Sequence, residues 1–232
     1  MANDNKDRSL VIVGLGETSD IAYEYFTHDS PYRVEAFAAS RQFVKADSHM
    51  GLPLIPLEDL SSQFPPSLVD VFVAVSYTQL NRVRTSLFQK VKSMGYACAN
   101  YVSSHAFVWH NVEMGENNFI FENNVLQHKV RLGNNIILWS GNHIGHQTVI
   151  EDNVYISSHC VISGYCRIGD SSFLGVNSTL NDRITIASEN VIGSGSIVIR
   201  NTEKGQLLVG APAKPAAKSA YEAFGVLMDN ER

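Results

Sequence analysis

Between residues 112 and 201, apolar side chains recur at every sixth position without a break. Cut from Val112, the stretch forms fifteen six-residue blocks whose third residue is always aliphatic or Met: Met114, Ile120, Leu126, Leu132, Leu138, Ile144, Ile150, Ile156, Ile162, Ile168, Leu174, Leu180, Ile186, Ile192 and Val198. Six is a multiple of the strand period of two and does not fit the helical period of 3.6. Each block therefore predicts a short strand and a corner, and the array predicts a parallel β-helix. The first block position is small or β-branched in many blocks (Val130, Thr148, Val154, Cys160, Cys166, Ser172, Ser178, Ser196), which suits a second inward site in a narrow prism. The sixth is Asn in six blocks and Gly in two, residues that tolerate positive φ, so the chain is expected to turn there. Three blocks close a triangular coil, giving five coils from the fifteen blocks. Residues eighteen apart then stack at roughly 4.8 Å.

Ahead of the repeat, buried apolar runs alternate with helical periodicity. Residues 9–13 read as a strand, followed by Gly14-Leu15-Gly16 and a helix with an apolar face of Ile21, Ala22, Tyr25 and Phe26. Strand, Gly-x-Gly and helix form a phosphate-cradling arrangement, because glycines let the backbone approach and a helix N-terminus favours an anion. The third glycine of the dinucleotide fingerprint is missing, since Ser19 or Asp20 falls there. A second strand, 34–39, ends in Ser40-Arg41, where such folds contact a ribose or base. No acid stands there, which counts against NAD. Residues 51–55 and 70–75 read as further strands, a helix runs to about Met94, and 95–101 reads as the last strand of this half. Tyr77 and Asn81 follow the 70–75 strand at its C-terminal end, where ligands sit in open α/β sheets; helix capping and packing is the competing role for both.

This alternation predicts a half-size Rossmann-like α/β domain over 1–105 and a β-helix domain over 106–232, with 102–111 joining them closely. After the repeat, 211–215 (Ala-Pro-Ala-Lys-Pro) reads as a stiff crossing. Residues 216–228 read as a helix with Ala220, Phe224 and Leu227 on one face, placed over the open end of the prism. Residues 1–8 are expected to lack packed structure.

Composition narrows the classes. The net charge of −5, without a Lys/Arg run, argues against a nucleic-acid partner. No apolar stretch approaches the ~20 residues of a membrane span, and the start MANDNKDR is too polar for a secretory signal. Three cysteines without a CxxC suggest neither a disulfide scaffold nor a structural zinc site, and a cytoplasmic location is expected.

The chemistry is expected at two histidines. His143 precedes the inward Ile144, so alternation points it outward; His146 lies two beyond Ile144, at a corner. His146 stacks on His128 and His110 below and on Gly164 one coil above. The hexapeptide pattern, the block from Trp139 to His146 (WSGNHIGH), the nucleotide-binding-type start and Gly210-Ala-Pro-Ala-Lys214 resemble the NeuD/PglD-like bacterial sugar acyltransferases, hexapeptide-repeat proteins with a left-handed β-helix. The resemblance runs over residues 10–214. It implies the left hand, a homotrimer, and acetyl-CoA lying in the cleft between neighbouring prisms. It also implies an acceptor that is a nucleotide-linked amino sugar, of the 4-amino-4,6-dideoxy kind used in surface glycan (lipopolysaccharide or O-antigen) synthesis. His146 matches the general base of that family, a role that needs a group titrating near about 6.5. The Gly164 N–H is the candidate oxyanion donor. His143, Asn142, Asn177 and Lys214 are candidate acyl-CoA contacts. Gly14, Gly16, Ser40, Arg41, Tyr77 and Asn81 are candidate contacts to the nucleotide sugar. One departure stands out: the family often has an acid directly after the base, and here it is Gln147, with Glu122, Glu151 and Asp152 as substitutes.

Three other readings compete. Transfer to a hydroxyl of a sialic-acid-type sugar differs only in the acceptor pocket. A zinc hydratase similar to the γ-type carbonic anhydrases would draw on His110, His128, His143, His146 and His159, although such an enzyme has no use for a nucleotide-binding half; on the transferase reading no metal is expected. A non-catalytic scaffold would use the β-helix for assembly alone.

Overall fold

A computed structural model describes residues 6–226; Leu227 and Met228 of the expected terminal helix lie outside the described residues. The chain opens with β1 (Arg8–Val13), α1 (Glu17–His28), β2 (Tyr32–Ala39), β3 (Ser48–His49), β4 (Leu52–Pro56), α2 (Leu60–Gln63), β5 (Asp70–Val73) and α3 (Arg82–Ser93). The sheet order is β3-β4-β2-β1-β5, parallel except for the β3–β4 hairpin. β1 lies inside the sheet, between β2 and β5, and both of its faces are apolar. Leu10 and Ile12 pack with Phe26, Phe37 and Phe72 on one side, and Val11 and Val13 pack with Ala36, Val71 and Val91 on the other. Order begins earlier than the polar start suggests: the Lys6 ammonium donates to the Phe26 and Ser30 carbonyls, and Arg8 pairs with Asp70 at 2.5 Å.

The expected last strand of this half is reduced to a single bridge between Cys98 and Val71. The prism has already begun by then. Among the described residues, seventeen two-residue strands run from β6 (Tyr101–Val102) to β22 (Ile197–Val198) at six-residue spacing. Residues 102–111 are thus not a connector. Tyr101 pairs with Phe119 and Phe107 with Val125, so the stretch forms the first two sides of the first coil. Each strand pairs in parallel with those eighteen residues away, as His143 does with Val125 and Val161. Five complete coils and part of a sixth result.

The interior follows the repeat. The third-position residues Ile144, Ile150, Ile156, Ile162, Ile168, Leu174 and Ile186 and the first-position Val154 and Cys160 are wholly buried in one cluster. Each large aliphatic there contributes about 1.5–3 kcal/mol by leaving water. The corners are more uniform than their residue types. Every sixth-position residue from Asn117 (φ 58°) to Glu189 (φ 58°) takes the left-handed conformation, including Lys129, Gln147, His159, Tyr165 and Arg183. Such residues pay a local cost, and the ladder hydrogen bonds on either side hold them there.

The prism has three outward rows. One (Tyr101, Phe119, Ile137, Tyr155, Phe173) is covered from within the chain: Phe119, Ile137 and Tyr155 share a core with Leu10, Phe26 and Phe72, and Phe173 packs against it. Ile137 and Phe173 therefore do not await a neighbouring prism. The second row (Phe107, Val125, His143, Val161, Thr179, Ile197) stays open, with Phe107 52% and Val161 43% exposed. The third carries Glu113, Arg131, Val149, Arg167 and Thr185.

An asparagine ladder joins prism to α/β unit. Asn117 Nδ2 donates to Asn135 Oδ1 (2.9 Å), Asn135 Nδ2 to Asn153 Oδ1 (2.8 Å), and the Asn117 amide brackets Val73 through its N–H (2.7 Å) and carbonyl (3.2 Å). Beside it the Arg84 guanidinium is fully buried, and burial lowers its pKa to about 9. β23 (Leu207–Gly210) extends the covered sheet, and β24 (Ala213–Pro215) folds back antiparallel on it, so 211–215 is a hairpin arm rather than a crossing. α4 (Ala220–Ala223) is a single turn with a Ser219–Glu222 capping box. Ala220 and Phe224 pack with Leu80, Val191 and Phe173 on the prism's side, not over its end.

Candidate functional site

Two features stand apart from the structural packing: one edge of the prism and one cleft of the α/β unit. The edge joins the second and third rows. There His146 is exposed, and its ring lies against Gly164 of the next coil: a Cβ placed on Gly164 would come 2.5 Å from His146 Cε1 and 2.8 Å from Nε2. Gly164 has no positive φ, so it is glycine here for space and not for backbone freedom. Its carbonyl accepts from the Arg183 N–H at 3.0 Å, while its own N–H meets no acceptor among the described residues. The corner is fixed from below, where Gln127 Oε1 accepts the His146 N–H at 2.9 Å. His143 is half-buried and points outward from the neighbouring strand, as alternation requires. The expected stacking on His128 and His110 exists as register, but His128 Nδ1 is engaged by Asn111 Nδ2 at 3.0 Å.

Among the described residues no carboxylate reaches the His146 ring. Glu122 is held by Ser140 (2.6 Å) and Tyr25 (3.2 Å), Glu151 by Arg167 and the Asp170 N–H, and Asp152 by the Asn134 N–H (2.7 Å). All three sequence candidates for the missing acid are thereby committed elsewhere. Among the described residues no three His, Cys, Asp or Glu side chains converge as a metal-ligand set.

The other acyl-CoA candidates scatter. Asn142 sits inside the prism, 1% exposed, where its amide donates to the Trp139 carbonyl and accepts the Cys160 N–H (2.7 Å); it is a core residue and meets no ligand. Asn177 is exposed on a different edge, in the same corner row as Gly141 and His159. Lys214 is exposed on β24, opposite Val209 at the C-terminal end of the stack.

The cleft, about 800 Å³, opens at the C-terminal ends of β1, β2 and β5. This is where strand order reverses about β1, the place where open α/β sheets hold ligands. Gly14 and Ser40 line it, as expected, joined by Leu15, Phe43, Gln79, Arg82, Val83 and Ser86. Gly14 also has a packing reason, since a Cβ there would lie 2.4 Å from the Ala74 carbonyl oxygen. Gly16 is the N-cap of α1. Arg41 turns away to Asp59 at 2.6 Å. Tyr77 packs its ring against Tyr155 and Phe173, 5.0 Å from each, outside the cleft lining. Asn81 is wholly buried, caps α3 by its backbone and faces the Ser172 carbonyl of the prism. Its expected ligand contact is replaced by the structural role.

Charge distinguishes the two helix N-termini near this cleft. α1 carries Glu17 and Asp20 in its first turn, whereas α3 begins with Arg82 and has no acid in its first turn. An anion is favoured at the second and opposed at the first. The approach to α3 is also strained: Gln79, Leu80 and Asn81 all take positive φ (52°, 53° and 67°). The turn sends Gln79 to the cleft and Leu80 into the C-terminal cluster.

No protein-family model matches the chain. Solved structures do. The acetyltransferase domain of PglB from Neisseria gonorrhoeae aligns with a TM-score of 0.77 at 21% identity, over 90% of this chain and 100% of that one. PerB from Caulobacter crescentus, solved in complex with CoA and GDP-perosamine, aligns at 0.80 and 22%, over 91% and 98%. The fold is the α/β unit and left-handed β-helix shared by these structures. WeeI from Acinetobacter baumannii gives 0.76 at 19% identity, over 90% of this chain and 100% of its own. The likeness spans the α/β unit as well as the prism, so the order of parts, sheet first and β-helix second, is common to all of them.

Sequence reading missed Phe43, Gln79, Arg82 and Ser86. Their spacing carries no motif, and only the strand order brings these loop ends together.

Proposed function

We propose that the protein is an acetyl-CoA-dependent N-acetyltransferase that acylates the amine of a nucleotide-linked 4-amino-4,6-dideoxy sugar destined for surface glycan. The observation that carries the reading is the imidazole of His146 set against Gly164, whose N–H has no acceptor among the described residues. In the reaction the sugar amine attacks the thioester carbon and His146 takes the amine proton. The tetrahedral oxyanion accepts the Gly164 N–H, and collapse breaks the C–S bond and returns a proton to the departing thiolate. The open row around His143 and Val161, with its exposed Phe107, would pack against a second copy, making a homotrimer and a wall for the pantetheine arm. The solved CoA complex of PerB, a fold relative, supports this choice of donor.

The acceptor's nucleotide belongs in the cleft of the α/β unit. The N-terminus of α3 suits its diphosphate, beside an Arg82 guanidinium that lines the cleft while pairing with Glu189 at 3.1 Å; Ser40, Ser86 and Gln79 suit its hydroxyls, and the exposed Phe43 a flat base. The PerB complex holds GDP-perosamine, a nucleotide-linked amino sugar, and supports the same acceptor class.

The test is thiol release from acetyl-CoA with a panel of UDP-, dTDP- and GDP-linked 4-amino sugars, with mass analysis of the product. Acetylation of one member, lost in His146→Ala, is the expected result. Transfer only to hydroxyls of sialic-acid-type sugars, or no transfer to any acceptor, would contradict it.

A further inference from the structure

On the acyl-transfer reading, on which this inference rests, His146 must present its ring in one orientation, yet no carboxylate among the described residues holds it. An aromatic side chain meets it instead. Gln147, Tyr165 and Arg183 occupy the same corner position in three successive coils, at φ 57°, 58° and 59°. The Tyr165 ring stands edge-to-face with the imidazole, 5.0 Å between centroids at an interplanar angle of 82°.

Tyr165 is itself held on three sides. Gln147 Nε2 donates to its hydroxyl at 3.0 Å, its N–H donates to the His146 carbonyl at 2.9 Å, and the Arg183 guanidinium lies 4.3 Å from its ring centroid. The imidazole thus has Gly164 against one side and the Tyr165 ring against another.

We propose that Tyr165 is the positioning residue for His146, an aromatic wedge that is 42% exposed but clamped at its hydroxyl, doing by shape what an acid beside the base does by hydrogen bonding. Gln147 is then not a lost acid but the clamp on the wedge. It sits one residue from the base, and its side chain reaches one coil up to the tyrosine hydroxyl. Orientation in this arrangement depends on the ring, and only secondarily on the hydroxyl. A carboxylate in its place would work through charge.

The experiment compares Tyr165→Leu, Tyr165→Phe and Gln147→Asn with the parent in steady-state acetyl transfer, each checked by its melting temperature. Asn suits the left-handed corner but is one methylene too short to reach the hydroxyl. Tyr165→Leu is expected to lower kcat at least 20-fold with both KM values within twofold. Phe restores most of it, leaving a 3–5-fold loss. Gln147→Asn costs the same 3–5-fold, and the Phe/Asn double variant loses no more than either single one, because both remove one hydrogen bond. A Leu variant within twofold of the parent, or a loss confined to the acetyl-CoA KM, overturns the proposal. Should the Leu variant fail to fold, Phe and Asn decide, and two neutral variants overturn it. A protein that acetylates no acceptor sinks the acyl-transfer reading separately. The wedge is then read by NMR, from the ring-current shift on the His146 ring protons: loss of that shift in Tyr165→Leu supports the placement and an unchanged shift refutes it.

Discussion

The prism edge and the α/β cleft hold polar groups in place by opposite means. Along the edge, position comes from register: His146, Gly164, Gln147 and Tyr165 face one another because they lie in neighbouring coils at the same or the adjacent corner position, each tied to an adjacent coil: the His146 N–H to Gln127 Oε1, the Gln147 N–H to the His128 carbonyl, the Tyr165 N–H to the His146 carbonyl, and the Gly164 carbonyl to the Arg183 N–H. In the cleft, position comes from where separate loops end. Ser40 and Phe43 follow β2, Gln79 and Arg82 precede and begin α3, and a strained turn aims them. A regular scaffold tolerates a demanding chemical group at one corner because every other corner repeats the same support. A cleft built from loop ends can change its residues, and so its ligand, without disturbing the sheet behind it.

That contrast can be broken at several points. The largest effect is expected at the edge. His146→Ala should lower kcat by about 10²–10⁴-fold, measured by thiol release, with the melting temperature unchanged because the side chain is exposed. Next is the scaffold under it. Ile162→Ala empties a wholly buried site one coil from Ile144 and should cost about 2–5 kcal/mol in denaturant unfolding. Asn117→Gly keeps the left-handed corner available and removes the amide that brackets Val73 and donates to Asn135; about 1–3 kcal/mol should be lost at the joint between the two regions, since buried polar groups go unpaired.

The smallest effect concerns the tail. Burial alone would raise the Glu189 carboxyl, but hydrogen bonds from Tyr221, Lys204 and Arg82 overcome this and hold it below its ordinary value. A depressed folded pKa gives stability that is present above the unfolded carboxylate value of about 4.3 and is lost as pH falls below it. Protection against hydrogen exchange around α4, taken relative to the intrinsic rate at each pH, should therefore fall on acidification below that value in the parent. Glu189→Gln should show the reduced protection at neutral pH too and little further change.

The prism was readable because six-residue spacing records its geometry directly. The third-position aliphatics, the outward His143 and the pairing of His146 with Gly164 all follow from counting. Counting alone did not reveal that the array starts at Tyr101, because a block with Ser104 and His105 at its corner looks like a linker. It also misplaced Asn142, where a first-position amide satisfies the coil's own backbone from inside. The α/β unit was legible as strands and helices but not as a site. Arg41 and Asn81 stand at the ends of the right elements and turn toward Asp59 and Ser172, choices made by tertiary neighbours that no local pattern contains. The covered row of the prism was hidden for the same reason: the chain's own first half lies on Ile137 and Phe173, a contact that no spacing records.

The most direct test of the central claim, that edge and cleft serve one reaction with separate duties, is a steady-state comparison of the parent with Arg82→Ala and Gly164→Ala against both substrates. Gly164 accepts a β-carbon in its backbone conformation but not in its space, so that variant should displace His146 and lower kcat while leaving the acceptor KM within threefold. Arg82→Ala should raise the acceptor KM about tenfold, the worth of one charged phosphate contact, and leave the acetyl-CoA KM alone. An Arg82 variant that weakens acetyl-CoA instead, or a Gly164 variant as active as the parent, would contradict the division.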